Sequence, residues 1–184
     1  NADGDLVAGT LGAGVVVFAE LDRAWIVTCR HVAVPHTAVS ARYDVANAHG
    51  VWVTFSDGRE TKGRVRWLAE PPLDVAVIEV TGSSPPRAVA IADGTEGIDP
   101  GTPVLFVPNP LRTGWRVHRG VVSRREFHAT PAGDYSLLYT TLPVQPGDSG
   151  SGLFDSQLRL VGLNTWKRGP DEASEGISLP SEAM

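Results

Sequence analysis

The chain has 184 residues, of which 42% are hydrophobic and 20% are charged, and its formal net charge is −5. This hydrophobic content can fill a substantial core and excludes an intrinsically disordered chain. The acidic balance provides no global field that would attract nucleic acid, and no apolar run of about twenty residues predicts a membrane span. We therefore expect a folded domain that neither binds nucleic acid nor inserts into a membrane.

Short apolar runs separated by turn residues predict a succession of β-strands. Twenty glycines and 14 prolines punctuate these runs, and Asp57-Gly58 is typical of the turn of a β-hairpin. No segment has a long helical period, and we expect only a short helical turn after His31. The predicted strands cover residues 14–19, 24–28, 51–55, 63–67, 74–80, 103–107, 115–123, 136–141, 152–154, 158–164 and 176–179. The sequence therefore predicts an all-β fold.

Cysteine, histidine and arginine usage exclude several kinds of site. Cys29 is the only cysteine, so the chain forms no internal disulfide, and we interpret it as a small buried hydrophobe. Four histidines lack metal-binding spacing, namely His36, His49, His118 and His128. Four arginines without an accompanying aromatic pattern are interpreted as solvated strand positions, namely Arg116, Arg119, Arg124 and Arg125. We expect no metal and no cofactor.

The strongest functional signal is the run Pro-Gly-Asp-Ser-Gly-Ser-Gly over residues 146–152, with Ser149 at its centre. A serine becomes a nucleophile when a base takes its proton and N–H groups stabilise the oxyanion that it creates. Glycines allow the tight turn that aims those N–H groups inward. His31, in Thr-Cys-Arg-His-Val, and Asp74, in Leu-Asp-Val-Ala-Val, precede the serine, which gives the order of the chymotrypsin-type triad.

These residues predict an acyl-transfer site. Ser149 would attack a carbonyl, His31 would act as general base, and Asp74 would orient the imidazole. The N–H groups of Gly147 and Ser149 would form the oxyanion hole. The orders of the subtilisin and α/β-hydrolase triads do not fit, and Ser151 stands where the α/β-hydrolase motif has glycine.

Several stretches carry a family resemblance, namely Gly12–Val17, Ile26–Val32, Leu73–Val80, Pro108–Pro110 with Gly120–Ser123, and Gly162–Thr165 with Gly176–Pro180. They resemble segments of the trypsin/chymotrypsin superfamily, and within it of bacterial trypsin-like and HtrA-type proteases. The resemblance covers residues from about 10 to 181, nearly the whole chain. It favours an extracytoplasmic location, periplasmic or secreted, while a cytoplasmic one stays open.

The resemblance implies two antiparallel six-stranded β-barrels with the active site in the cleft between them. An N-terminal barrel over residues 1–82 would carry His31 and Asp74, and a C-terminal barrel over 88–184 would carry Ser149. Residues 83–87 would link them, in agreement with the Gly-Ser-Ser-Pro-Pro run that begins at residue 82.

The resemblance also implies a primary specificity pocket walled by Val144, Thr165 and Gly176. No Asp or Glu occurs from residue 137 to residue 147, so the pocket should accept a small or medium apolar side chain. Trp166 and Lys167 depart from the family pattern, and Lys167 would narrow the pocket mouth or favour an acidic substrate residue.

Asp148 lies beside the candidate nucleophile, and its position is relevant to whether the protein is activated as trypsin-style zymogens are. In trypsin-style zymogens a freed Ile or Val amine pairs with the Asp at this place, but the chain has no Ile-Val-Gly-Gly and begins Asn-Ala-Asp-Gly. We expect no such activation. Asp148 should face solvent or find an arginine or a backbone N–H partner, because a buried unpaired carboxylate is strongly destabilising.

The sequence thus predicts a serine endopeptidase that cleaves proteins or peptides. The alternative is a catalytically silent protease fold that binds proteins or peptides. The first ten residues lack the aromatic segment that helps HtrA proteases to trimerise, so the oligomeric state is left open.

Overall fold

The computed structural model describes residues 11–34, 50–82, 84, 86–109, 114–130, 133–169 and 175–183. Within them the fold is all-β, with one helix, α1 (Arg30–Ala33), and a closing 3-10 turn, Ser181–Ala183. The strands are β1 (Val15–Ala19), β2 (Arg23–Thr28), β3 (Val51–Thr54), β4 (Glu60–Leu68), β5 (Ala76–Thr81), β6 (Pro103–Phe106), β7 (His118–His128), β8 (Tyr135–Thr140), β9 (Gly152–Phe154), β10 (Leu160–Arg168) and β11 (Glu175–Pro180). Each of the eleven strand ranges predicted from the sequence has a counterpart among them.

The N-terminal half contains a five-stranded antiparallel sheet in the order β1-β2-β5-β4-β3. Its inner face buries alternate residues, such as Val65 of β4 and Ile78 and Val80 of β5. The predicted hairpin is formed by β3 and β4, and Gly58 in its turn has φ +86°. Five of the six strands predicted for this half lie in the described chain, and residues 35–49 are outside it.

The C-terminal half is a closed barrel of six strands in the order β10-β11-β8-β7-β6-β9, as predicted. Large side chains without solvent exposure fill it, among them Phe106, Leu138, Leu142 and Leu153. Burying each such side chain stabilises the fold by about 1.5–3 kcal/mol. The barrel therefore offers a rigid base for the loop 146–151 between β8 and β9.

A third apolar cluster joins the two halves, with Val27 and Val75 of the first packed against Leu160 and Leu163 of the second. The N–H of Val89 also donates to the carbonyl of Val16 at 2.9 Å. The segments that carry His31 and Asp74 therefore lie against the C-terminal barrel. Residues 83 and 85 of the predicted linker are outside the described chain, and the domain boundaries stay a prediction.

Strand β7 differs from its prediction, because it begins three residues later and continues five residues further, to His128. Four of the five added residues are polar and the fifth, Phe127, is exposed. Arg124 nevertheless bonds to Glu126 at 2.9 Å and to Glu175 at 2.5 Å and lies over the ring of Tyr139. Arg125 pairs with Glu182. These two arginines are therefore ion-paired rather than simply solvated, and hydrogen bonds from Arg124 lower the pKa values of Glu126 and Glu175.

Candidate active site

His31 is positioned by α1 and by Asp74, which precedes β5. Both oxygens of Asp74 engage it: the backbone N–H of His31 donates to Oδ1 at 2.9 Å, and Nδ1 lies 2.7 Å from Oδ2. A buried carboxylate accepts here, so Nδ1 carries the proton and Nε2 presents its lone pair. The imidazole is thus held in the tautomer that a general base requires.

Ser149 lies in a loop that direct backbone bonds hold in place. Its carbonyl accepts the N–H of Ala13 at 2.7 Å, and the N–H of Gly150 donates to Asn164 at 2.8 Å. Gly150 has φ +86°, and a Cβ there would lie 2.1 Å from the carbonyl oxygen of Ala13. Glycine is therefore required by both conformation and space.

The hydroxyl of Ser149 donates to the carbonyl of Thr165 at 3.4 Å, not to His31. Within the described chain, the N–H groups of Gly147 and Ser149 donate to no other group, and Gly147 has φ +95°. Two unused N–H groups beside a serine are what an oxyanion hole needs. The loop thus places a hydroxyl and two donors in one short segment.

A cavity of about 520 Å³ brings the predicted residues together. It is lined by His31, Asp74 and Ser149, by the predicted pocket residues Val144, Thr165, Trp166 and Lys167, and by Arg30, Pro71, Pro72, Leu73, Gln145 and Pro146. Sequence reasoning missed this last group, although Pro71-Pro72 directly precedes the Leu-Asp motif. Gly176 does not line the cavity. It lies behind Val144, where a Cβ would come within 2.7 Å of Val144 Cγ2.

Asp148 is only 1% exposed, so it does not face solvent. Its Oδ2 accepts the N–H of Gln145 at 2.9 Å, which is the backbone partner expected of it, while Oδ1 has no partner in the described part of the chain. Burial raises the pKa of this carboxyl, against the opposing effects of the Gln145 hydrogen bond and of His118. Asp148 is therefore a buried acid of the serine loop whose second oxygen is not satisfied by the described residues.

Cys29 is fully buried, as predicted, and its thiol donates to the carbonyl of Asn164 at 3.3 Å. Burial, followed by the negative charge of Asp74, raises the pKa of the thiol well above its usual range. The thiol is thus protonated at neutral pH and is a poor nucleophile there. Of the other histidines, His36 and His49 lie outside the described residues.

Two packed all-β units, with a His–Asp pair and a glycine-flanked serine on the cavity between them, define the chymotrypsin-like class of fold. The family model described as "Trypsin-like peptidase domain" matches residues 12–163, and the chain belongs to that family. This confirms the resemblance found in the sequence.

The comparisons also identify HtrA-type relatives. The periplasmic serine endoprotease DegP of Escherichia coli K12 is 29% identical over 177 residues, which cover 95% of this chain and 34% of DegP. The serine protease Do-like HtrA of Bacillus subtilis is 26% identical and is covered to 36%. The structure of the HtrA-type protease AlgW with a decapeptide superposes with a TM-score of 0.70 at 26% identity, covering 94% of this chain and 48% of AlgW. The chain thus spans about a third of the length of these curated relatives. No helix in the described part of the chain is long and apolar enough to cross a bilayer.

Proposed function

We propose that the chain is a serine endopeptidase domain that hydrolyses peptide bonds through an acyl-enzyme. The observation that carries the proposal is the pairing of both Asp74 oxygens with His31 on the same cavity as Ser149. Family membership and relatives named as serine proteases support it.

In this mechanism His31 Nε2 takes the proton of Ser149 as Oγ attacks the scissile carbonyl, and later gives it to the leaving amine. Asp74 keeps Nδ1 protonated and stabilises the imidazolium that forms. The N–H groups of Gly147 and Ser149 stabilise the oxyanion. Because Oγ rests on the carbonyl of Thr165, it must first turn from Thr165 to His31.

The proposed substrate is a protein or peptide with a small or medium apolar residue before the scissile bond. One wall of the cavity is apolar and is formed by Val144, Pro146 and the methyl-bearing side chain of Thr165. The carboxylate among the described lining residues is that of Asp74, and it is hydrogen-bonded to His31. Without a free carboxylate among the described lining residues, a Lys or Arg side chain would be desolvated there without a partner. Lys167 and Arg30 at the same cavity would instead favour an acidic residue nearby.

Three further expectations belong to this proposal. Residues 1–82 and 88–184 form the two barrels, joined by 83–87. The location is extracytoplasmic, in agreement with the periplasmic DegP relative. No metal or cofactor takes part in the reaction.

The second candidate is a silent binding fold, which the Ser149–Thr165 hydrogen bond favours because it leaves the Ser–His contact unmade. A fluorophosphonate probe, which labels only an activated serine, separates the two. We expect labelling of the wild type and of Ser151→Ala, since the buried hydroxyl of Ser151 bonds to none of the described residues. Ser149→Ala and His31→Ala should not be labelled. A folded wild-type chain that resists the probe would favour the silent fold.

A further inference from the structure

Three side chains of different chemistry converge behind the cleft: the thiol of Cys29, the imidazole of His31 and the carboxylate of Asp74. Their sulfur, nitrogen and oxygen atoms all lie within 4.8 Å of one another. We propose that these three residues form an inhibitory site for a thiophilic divalent cation, with Zn²⁺ the best match. That such binding inhibits rests on the proposed function, whereas the binding itself does not.

The donor set selects the ion. Zn²⁺ binds Cys sulfur at about 2.3 Å and His nitrogen or Asp oxygen at about 2.0–2.2 Å, so its tetrahedral ligands are roughly 3.3–3.8 Å apart. Small side-chain movements therefore suffice to close the three donors around one ion. A thiolate ligand disfavours Mg²⁺ and Ca²⁺, which prefer oxygen. The fourth position stays open for water, as in other three-ligand zinc sites.

The surroundings suit a cation held by two anions. Cys29 is fully buried and Asp74 is 7% exposed, whereas the side chain of His31 is 25% exposed and faces the cleft. A divalent ion with one thiolate and one carboxylate has no net charge, which limits the desolvation penalty of burying it. The cleft gives the ion a route to His31 and Asp74, which line it, and Cys29 lies behind them.

Binding would reorganise protons in a defined way. The thiol of Cys29 releases its proton to solvent, and His31 moves its proton from Nδ1 to Nε2, so one proton is released per ion. The Nδ1–Oδ2 hydrogen bond is replaced by one bond from each group to the metal. Nε2 then carries a hydrogen and cannot accept the proton of Ser149. The ion would thus lower kcat without occupying the substrate cleft, and KM would change little.

Cobalt tests the binding directly. Because Cys29 is the only cysteine in the chain, any thiolate-to-Co²⁺ charge-transfer absorption in the near ultraviolet reports on this residue alone. We expect wild-type protein to develop that absorption at one Co²⁺ per chain and to lose it when Zn²⁺ is added. Cys29→Ser is the matched control, since it keeps the side-chain size and every histidine and carboxylate. Cys29→Ala serves if the serine variant does not fold.

Activity tests the inhibition. Peptide hydrolysis is measured in Zn²⁺ buffers, each protein relative to its own metal-free rate. The half-inhibiting Zn²⁺ concentration should rise at least about 100-fold in Cys29→Ser, because a ligand contributes more than the 10–100-fold of an outer-shell partner. Absence of the cobalt absorption, equal zinc sensitivity in both proteins, or full activity with the site occupied would each overturn the proposal. If the wild type hydrolyses nothing, the proposed function fails and the cobalt absorption alone decides the metal site.

Discussion

Asp148→Asn should stabilise the protein at neutral pH. Asp148 is 1% exposed, one of its oxygens accepts the N–H of Gln145, and the other has no partner among the residues that the structure describes. Asparagine has nearly the same shape and retains an oxygen for Gln145. It replaces the charged, unpartnered oxygen with a neutral amide group.

The magnitude follows from the unpartnered oxygen. Leaving a buried polar atom unsatisfied costs about 1–3 kcal/mol, and more when the group is charged. The amide of asparagine is also unsatisfied at this place, so only the excess due to charge is recovered. We expect a gain of about 1–2 kcal/mol, which is a rise in Tm of roughly 2–8 °C for a domain of this size.

The pH dependence has a definite sign. Because burial raises the pKa of Asp148, its carboxylate destabilises the fold at pH values above that raised pKa. As the pH falls through this value towards about 3.9, the ordinary value for Asp, the carboxyl is protonated in both states and the penalty disappears. The stability gain of Asp148→Asn should therefore be largest at pH 7 and shrink on acidification.

Asp155→Asn is the matched control with the opposite sign. Asp155 is also buried, but its oxygens accept the N–H groups of Gln157 and Arg159 and the Arg159 side chain at 2.8–2.9 Å. Burial acts to raise its pKa, but these bonds outweigh burial and lower it. Asp155→Asn should therefore have a lower Tm than wild type at pH 7. This difference in Tm should shrink as the pH falls and Asp155 of the wild type becomes protonated. Thermal unfolding by circular dichroism across pH 4–7 measures both variants, and an unchanged or lower Tm for Asp148→Asn at pH 7 would refute the reasoning.

Three further outcomes are expected. Asp74→Asn should reduce kcat about 10⁴-fold by favouring the wrong imidazole tautomer, with the circular dichroism spectrum unchanged; a loss below tenfold would contradict the role of Asp74. Gly150→Ala should destabilise by at least about 3 kcal/mol in denaturant unfolding, whereas Gly58→Ala, with the same φ of +86° but open space around it, should lose only about 1 kcal/mol. A peptide library should be cut after Val, Ala or Leu, and preferential cleavage after Lys or Arg would show that a carboxylate reaches the pocket.

The strands could be predicted from the sequence because the signals that mark a strand lie within the strand and its adjoining turns. Alternating apolar residues and glycine turns mark β3 and β4 without reference to the rest of the chain. The end of β7 was missed because its polar residues are stabilised by partners distant in sequence, as Arg124 is by Glu175. From the apolar pattern alone, the polar residues after position 123 indicate that the strand has ended.

In the candidate site, too, the features set by local motifs could be predicted and those set by packing could not. His31, Asp74 and Ser149 stand in short motifs, so their types and order could be interpreted directly. The resting hydrogen bond from Ser149 to Thr165, and the oxygen of Asp148 that has no partner among the described residues, depend on three-dimensional packing around the loop 146–151, which no motif contains. Gly176 packs against Val144 instead of being among the residues that line the cavity, and sequence alone cannot distinguish these two positions.

The relative placement of His31 and Ser149 depends on contacts at the site more than on the connection between the halves. Thr28, just before the helix of His31, bonds to the carbonyl of Ala13 at 2.5 Å, and Ala13 in turn donates to Ser149 at 2.7 Å. Cys29 donates to Asn164, the neighbour of Thr165 on which the Ser149 hydroxyl rests. Because the Ala13–Ser149 and Cys29–Asn164 bonds join the two halves within a few residues of the reacting groups, a movement of one half against the other would break them before it separated the base from the nucleophile. Residues such as Cys29 and Ala13 therefore constrain the site without contacting a substrate.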